Sequence, residues 1–228
     1  MTSPTPSSFL RLLQLSSPTL PIGAFAYSQG LEAAVESQVV TDEASLGHWT
    51  SEQLEFSLGR VDLPMLWRLV DAVARGQHER EFELAARLVA MRETRELRED
   101  DLQRGRALME LLGALGGAST SHRAPGEWAA WPFARATAHA IRAWKLPVRE
   151  ALSAYAWSSI ENQIVAGVKL IPLGQVAGQR LLLAFADRIP EICDASIALE
   201  DDEIGGTLPM VAVLSSQHET QYSRLFRS

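Results

Sequence analysis

The sequence predicts a mainly helical protein organised as one domain, and three observations predict it. Apolar residues recur at three- and four-residue spacing over long stretches. Asp, Thr and Pro stand where helices would begin, with Gly or Pro beyond their ends. A chain of 228 residues, 46% of them hydrophobic, supplies one substantial core without demanding a second.

A short leucine-rich helix is expected over residues 9–15, stopping at Ser16-Ser17-Pro18 because Pro18 and Pro21 disfavour helix before them. The following stretch, Leu20-Pro21-Ile22-Gly23-Ala24-Phe25-Ala26-Tyr27-Ser28-Gln29-Gly30-Leu31-Glu32, mixes glycines, small residues and two aromatics in a way no simple core helix needs, and it reads as a shaped surface. Thr41 and Asp42 cap a helix that runs to about Leu58 and ends at Gly59. Asp62 and Pro64 open the next, in which Leu66, Leu69, Val70 and Val73 repeat at helical spacing up to Gly76. The same signals give helices at about 79–94 and 97–115, then a loop through Gly116-Gly117 and Ala124-Pro125-Gly126.

Beyond Pro132, helices are expected at about 133–144 and 148–171, the second carrying Ile160, Ile164, Val168 and Ile171 along one face. A further helix covers 175–187, with a short turn within 190–199. Glu200-Asp201-Asp202-Glu203 followed by Gly205-Gly206 resists packing and reads as an exposed connector. The tail from His218 to Ser228 then mixes two arginines with aromatic anchors, a composition suited to a partner groove.

A formal charge of −7 and a pI near 5.3 oppose nucleic acid and anionic membrane as partners. Cys193 is the single cysteine, which excludes an internal disulfide and suits a cytoplasmic location, and no export signal or membrane anchor is read. Gly174-Gln175-Val176-Ala177-Gly178-Gln179-Arg180 has two glycines but lacks the lysine of a phosphate-binding loop. His48, His78, His122, His139 and His218 are scattered, with none paired at i,i+4, so no metal site is expected. Glu93, Glu96, Glu99, Asp100 and Asp101 read as a solvated helix face, with Arg95 and Glu99 among its i,i+4 pairs. With no nucleophile elbow and no activated cysteine, the chain reads as a protein-binding component and not an enzyme.

Four segments carry a family resemblance. They are the 20–32 stretch, Arg92-Glu93-Thr94-Arg95-Glu96-Leu97-Arg98, Lys169-Leu170-Ile171-Pro172-Leu173-Gly174-Gln175 with Gln179, and the C-terminal tail. In order and position they resemble the UreF family of urease accessory proteins, with Ala24 departing from the family's usual second glycine after Gly23. The resemblance implies an all-α, single-domain compact helical bundle of about eight to ten helices spanning 1–228, with 200–216 an exposed connector and 217–228 a docking tail.

It also implies a homodimer that bridges UreD (also called UreH) and the GTPase UreG while nickel is inserted into apo-urease. No cofactor is expected to be bound stably by this chain; nickel is handled by the complex and GTP is bound by UreG. Tyr27, Gln29, Glu32, Tyr222, Arg224, Leu225, Phe226 and Arg227 are the residues implied for the UreD side, and Lys169, Arg92, Arg95 and Arg98 for the UreG side. The alternatives are a GTPase-activating regulator of UreG, or a helical adaptor with a nickel site of its own.

Overall fold

A computed structural model describes residues 5–116 and 131–227. Among these residues there are ten α-helices and no strand. The loop expected at 116–131 therefore lies, apart from its ends, outside the described residues, as do the first four residues and Ser228.

Helix α1 (Pro6–Ser16) begins where the Thr5 side chain accepts a hydrogen bond from the Ser8 amide, and it lies on α8 (Val148–Leu170). The short helix α2 (Leu31–Glu36), absent from the sequence expectation, starts at Gly30, whose φ of +84° favours glycine. Helix α7 (Phe133–Trp144) is wedged between α4 (Leu63–Arg75) and α6 (Arg95–Ala114). Its fully buried Ala134, Ala136, Ala138 and Ala140 let both neighbours approach closely. Helix α5 (His78–Ala90) covers α4, while α9 (Gln175–Ala198) pairs with α8. At Gly105 of α6, a Cβ would stand 2.0 Å from the Trp131 carbonyl oxygen, so any larger residue would push α6 off the start of α7.

Asp42 caps α3 (Glu43–Glu52) through a reciprocal pair of bonds with Ser45, as expected, but Gly59 does not end the helix. The chain continues through a wide π-helical stretch, Gln53–Asp62, straight into α4. Pro64 explains the widening. In an ordinary helix it would leave the Arg60 carbonyl without its partner and press against it. Here the Leu63 amide bonds back to Leu58, and the Arg60 oxygen accepts instead from the Gly205 amide at 3.1 Å.

Helix α9 likewise runs through Pro190, where a break was expected. Leu182, Phe185, Ile189, Cys193 and Ser196 are all buried along one face, and their packing on α8 and the π stretch offsets a proline penalty of about 3 kcal/mol.

The expected exposed connector at 200–216 is corrected in part: Glu200 to Glu203 are exposed, but the segment beyond them packs on the helices. Ile204 is buried, and 209–218 form α10 (Pro209–His218), which packs on α2 and α6. The acidic cluster that argued for exposure is held by arginines from elsewhere in the chain. Asp201 pairs with Arg68 and, at 2.6 Å, with Arg80; Arg87 donates to the carbonyls of Asp201 and Ile204. Arg68 and Arg80 draw the Asp201 carboxyl below its ordinary range, the Arg68 hydrogen bond being the largest cause. Local charge density marked the exposed acidic residues but not the contacts that hold them, because the compensation comes from α4 and α5.

The buried apolar residues fall into two clusters. The larger spans α1, α4 to α9 and the π stretch; the smaller gathers Leu31, Leu46, Trp49, Ile171, Val211, Leu214 and Phe226 beneath the C-terminal tail. No helix among the described residues is long and apolar enough to cross a membrane.

Candidate functional site

The C-terminal tail does not trail away from the helices; it folds back onto α2 and α6. Phe226 enters the smaller apolar cluster, and the Arg227 amide donates to the Ala26 carbonyl at 2.7 Å. The centre of the arrangement is Glu32. Its carboxylate accepts from the Leu225 amide at 2.6 Å, the Phe226 amide at 2.9 Å and His218 Nε2 at 3.1 Å. On the other side of the imidazole, His218 Nδ1 lies 3.0 Å from Glu96, which also accepts from Arg224 Nη1 at 3.1 Å.

His218 is fully buried, and Glu32 and Glu96 nearly so. Burial pushes the Glu96 carboxyl above its ordinary range, while the charges of His218 and Arg224 pull the other way without prevailing. With the ionic groups and Phe226 turned inward, Tyr222 and Leu225 face outward, and Phe25 of the adjoining loop is 62% exposed.

The first loop is shaped from beneath by α6 and α8. Gly23, with φ +76°, supplies the left-handed turn, so Ala24 starts a 3₁₀ turn without a positive φ and its methyl group is tolerated. Asn162 donates to the Tyr27 carbonyl, while Gln163 donates to both the Ser28 carbonyl and the Gln29 side chain. Gln29, itself at φ +53°, reaches Asp100 at 2.8 Å. Tyr27 is buried and bonds Gln103 through its hydroxyl; burial and the Asp100 charge push that phenol up.

Below this loop lies a buried ionic network. Arg92 bridges Asp62 at 2.5 Å and Asp101 at 2.9 Å; Asp62 also accepts from the Tyr155 hydroxyl, and Asp101 from the Phe133 amide. Arg104 holds Asp100 with two bonds, of 2.7 and 2.9 Å, and lies over the Phe133 ring. Burial and the neighbouring aspartates raise Tyr155 well above its ordinary value, and burial raises Asp100 against the pull of Arg104.

A sequence model of the UreF family matches residues 40–186. The chain belongs to the UreF family. Proteins named urease accessory protein UreF resemble it over almost their whole length: that of Alkalilimnicola ehrlichii is 46% identical over 218 residues, covering 96% of this chain and 95% of the relative. That of Azoarcus sp. is 44% identical with 96% and 95% coverage, and that of Escherichia coli O157:H7 is 39% identical with 99% and 100%. The family match ends before the tail and begins after the first loop, whereas these alignments cover nearly the full length of this UreF-family chain.

Within that UreF frame, the structure brings Tyr27, Gln29, Glu32, Arg224, Phe226 and Arg227 into one region. Tyr27, Glu32 and Phe226 are buried there and act by holding the surface, leaving Tyr222, Arg224, Leu225 and Arg227 to face outward. Arg92, expected on the UreG side, is placed as an internal ion-pair partner between Asp62 and Asp101, its side chain 14% exposed. Arg95 and Arg98 are exposed, and Arg95 reaches Glu219 beside the tail at 3.8 Å. Lys169 is exposed in the last turn of α8.

The expected solvated face over 93–101 is corrected in part: Glu93 and Glu99 are exposed, but Glu96, Asp100 and Asp101 are buried. Sequence reasoning missed Glu96 and His218 as partners. The only available signal was a run of charges longer than exposed helical pairs, at about 0.2–0.5 kcal/mol each, justify for stability. Among the described residues no group of three or more His, Cys, Asp or Glu side chains is arranged to hold a metal ion.

Proposed function

We propose that this chain serves urease maturation as a non-catalytic adaptor, bridging UreD and UreG in the complex that inserts nickel into apo-urease. The observation that carries this reading is the docked tail. Its anchors are consumed inside the domain, and Tyr222 and Leu225 are left exposed, an aromatic and an aliphatic group on a fixed backbone. A preformed apolar pair beside arginines is the composition of a protein-binding hot spot, and fixing it in advance reduces the entropy lost on binding.

The UreD side is assigned to this tail surface, and the UreG side to Lys169, Arg95 and Arg98. The buried ionisable groups are taken up by structural pairs, and burial pushes the Cys193 thiol up to about 11, which removes it as a nucleophile at neutral pH. In this reading the chain works in the cytoplasm without a stably bound cofactor, with nickel carried by the complex and GTP bound by UreG. Co-expression with UreD tests it. Arg224→Ala with Leu225→Ala is expected to abolish co-purification while circular dichroism stays that of the parent; undiminished capture of UreD by a folded double variant would overturn it.

The same reading includes a homodimer. A groove of about 480 Å³ between α1, α8 and α9 is lined by Phe9, Leu13, Trp157, Ala186, Ile189 and Pro190, of which Phe9 and Leu13 stand more than half exposed. A contiguous apolar face of this kind favours burial against a second copy. Phe9→Glu is expected to convert a dimer into a monomer in analytical ultracentrifugation, and an unchanged sedimentation coefficient would remove this face as the interface.

A further inference from the structure

We infer that the cavity beside the π-helical stretch is an internal water-binding site, in which water accepts a hydrogen bond from Gln53 and donates to the carboxylates of the ionic network. The inference concerns the interior of the domain and is independent of what the tail binds.

The site begins with Pro64. The proline widens the helix over Gln53–Asp62, and the first and last residues of that stretch, Gln53 and Asp62, both line a cavity of about 70 Å³. Asp101 and Ser159 line it from α6 and α8, and Gly206 to Leu208 run along it just before α10. The volume is several times the roughly 10–15 Å³ that a single water requires, so it has room for a small cluster.

Gln53 supplies the second, independent observation. The residue is only 7% exposed, and among the described residues its side-chain Nε2 has no hydrogen-bond partner. A buried amide donor left unmet is costly, so an acceptor in the cavity stabilises the folded chain. Thr50 Oγ1, one turn earlier, is also without a partner among the described residues, but Thr50 does not line the cavity, and the assignment rests on Gln53.

The lining chooses the occupant. An anion would face the carboxylates of Asp62, Asp100 and Asp101, and a cation would face Arg92, Arg104 and the N–H end of the Gln53 amide. These charges are already paired with one another, Arg92 with Asp62 and Asp101 and Arg104 with Asp100. What fits is a small neutral molecule that accepts and donates at once, which is the chemistry of water. A carboxylate can accept about four hydrogen bonds, and Asp101, which accepts from Arg92 and the Phe133 amide, has capacity for a water proton. The Ser159 hydroxyl donates to the Tyr155 carbonyl at 3.2 Å and keeps its lone pairs for a second water. The bound water thus ties the start of the widened stretch to the ionic network at its end.

A crystal structure of the full chain, at a resolution that shows ordered water, tests the inference. A water is expected about 2.7–3.2 Å from Gln53 Nε2 and within hydrogen-bond distance of Asp62 or Asp101. In Gln53→Met, which keeps the length of the side chain and removes the donor, that water is expected to be lost. Oxygen-17 relaxation dispersion reads the same difference in solution, as a loss of about one long-lived water per chain from parent to variant. A dry cavity in the parent, a metal ion there identified by anomalous scattering, or a Gln53 amide bonded directly to a protein acceptor would overturn the site. The same long-lived water in Gln53→Met would overturn the role of Gln53. If that variant does not fold, the parent crystal alone decides. UreD capture enters neither readout, so failure here leaves the adaptor reading untouched, and failure of the adaptor reading leaves the water site untouched.

Discussion

Arg92→Leu is expected to destabilise the protein by about 3–5 kcal/mol, the range for removing one member of a buried ion-pair set. The guanidinium bridges Asp62 and Asp101, whose side chains are each less than 5% exposed. Its loss leaves two carboxylates close together in the interior. Those carboxylates also organise their surroundings, since Asp101 accepts from the first amide of α7 and Asp62 accepts from Tyr155.

The repulsion would therefore spread from the π stretch to α6, α7 and α8 together. Against a typical total of about 5–15 kcal/mol for a domain, the effect approaches unfolding. Urea denaturation monitored by tryptophan fluorescence measures it. Arg92→Lys keeps the charge but loses the fork that reaches both aspartates, and an intermediate loss is expected. A change within 0.5 kcal/mol for Arg92→Leu, the range of an ordinary surface substitution, would mean that the bridge contributes little.

Glu32→Ala is expected to release the tail while leaving the helical body folded. The carboxylate satisfies two tail amides and one side of His218, and unsatisfied buried donors cost about 1–3 kcal/mol each. The amides need not stay buried, because the tail can peel into water. The expected result is a shift of about 3 kcal/mol, roughly a hundredfold, from docked to released tail. Trypsin cleavage after Arg224 reports this directly and should accelerate by a similar factor, while cleavage within the helical body stays slow. UreD capture should fall with it, although Glu32 offers no exposed surface to a partner. Equal cleavage rates in parent and variant would show that Phe226 and the Ala26 contact hold the tail without Glu32.

Much of this arrangement was legible from local chemistry. Thr41 and Asp42 marked the start of α3, Pro147 the start of α8, and the spacing of Ile160 and Ile164 the buried face of α8. Tyr27, Gln29, Glu32 and Arg224 were singled out from motif positions and do gather in one region. Their roles were not legible: Glu32 was expected at a surface and is an internal acceptor, and Arg92 was expected to face a partner and lies inside. Gly59 and Pro190, both read as helix ends, lie within continuous helices because distant partners take up the free carbonyl or bury the helix face.

The sequence by itself determined the helical class and most helix starts, because capping, proline placement and apolar periodicity act within a few residues of one another, and its four motif segments carried the family resemblance. Tertiary structure alone decided which charges are buried. A carboxylate's fate depends on whether an arginine, histidine or backbone amide from elsewhere in the chain reaches it, and separations of the kind seen between Glu32 and Phe226 or Asp62 and Arg92 leave no periodic trace. The tail, which composition marked only as suited to a partner, is thereby fixed on its own domain by Glu32, Glu96 and His218.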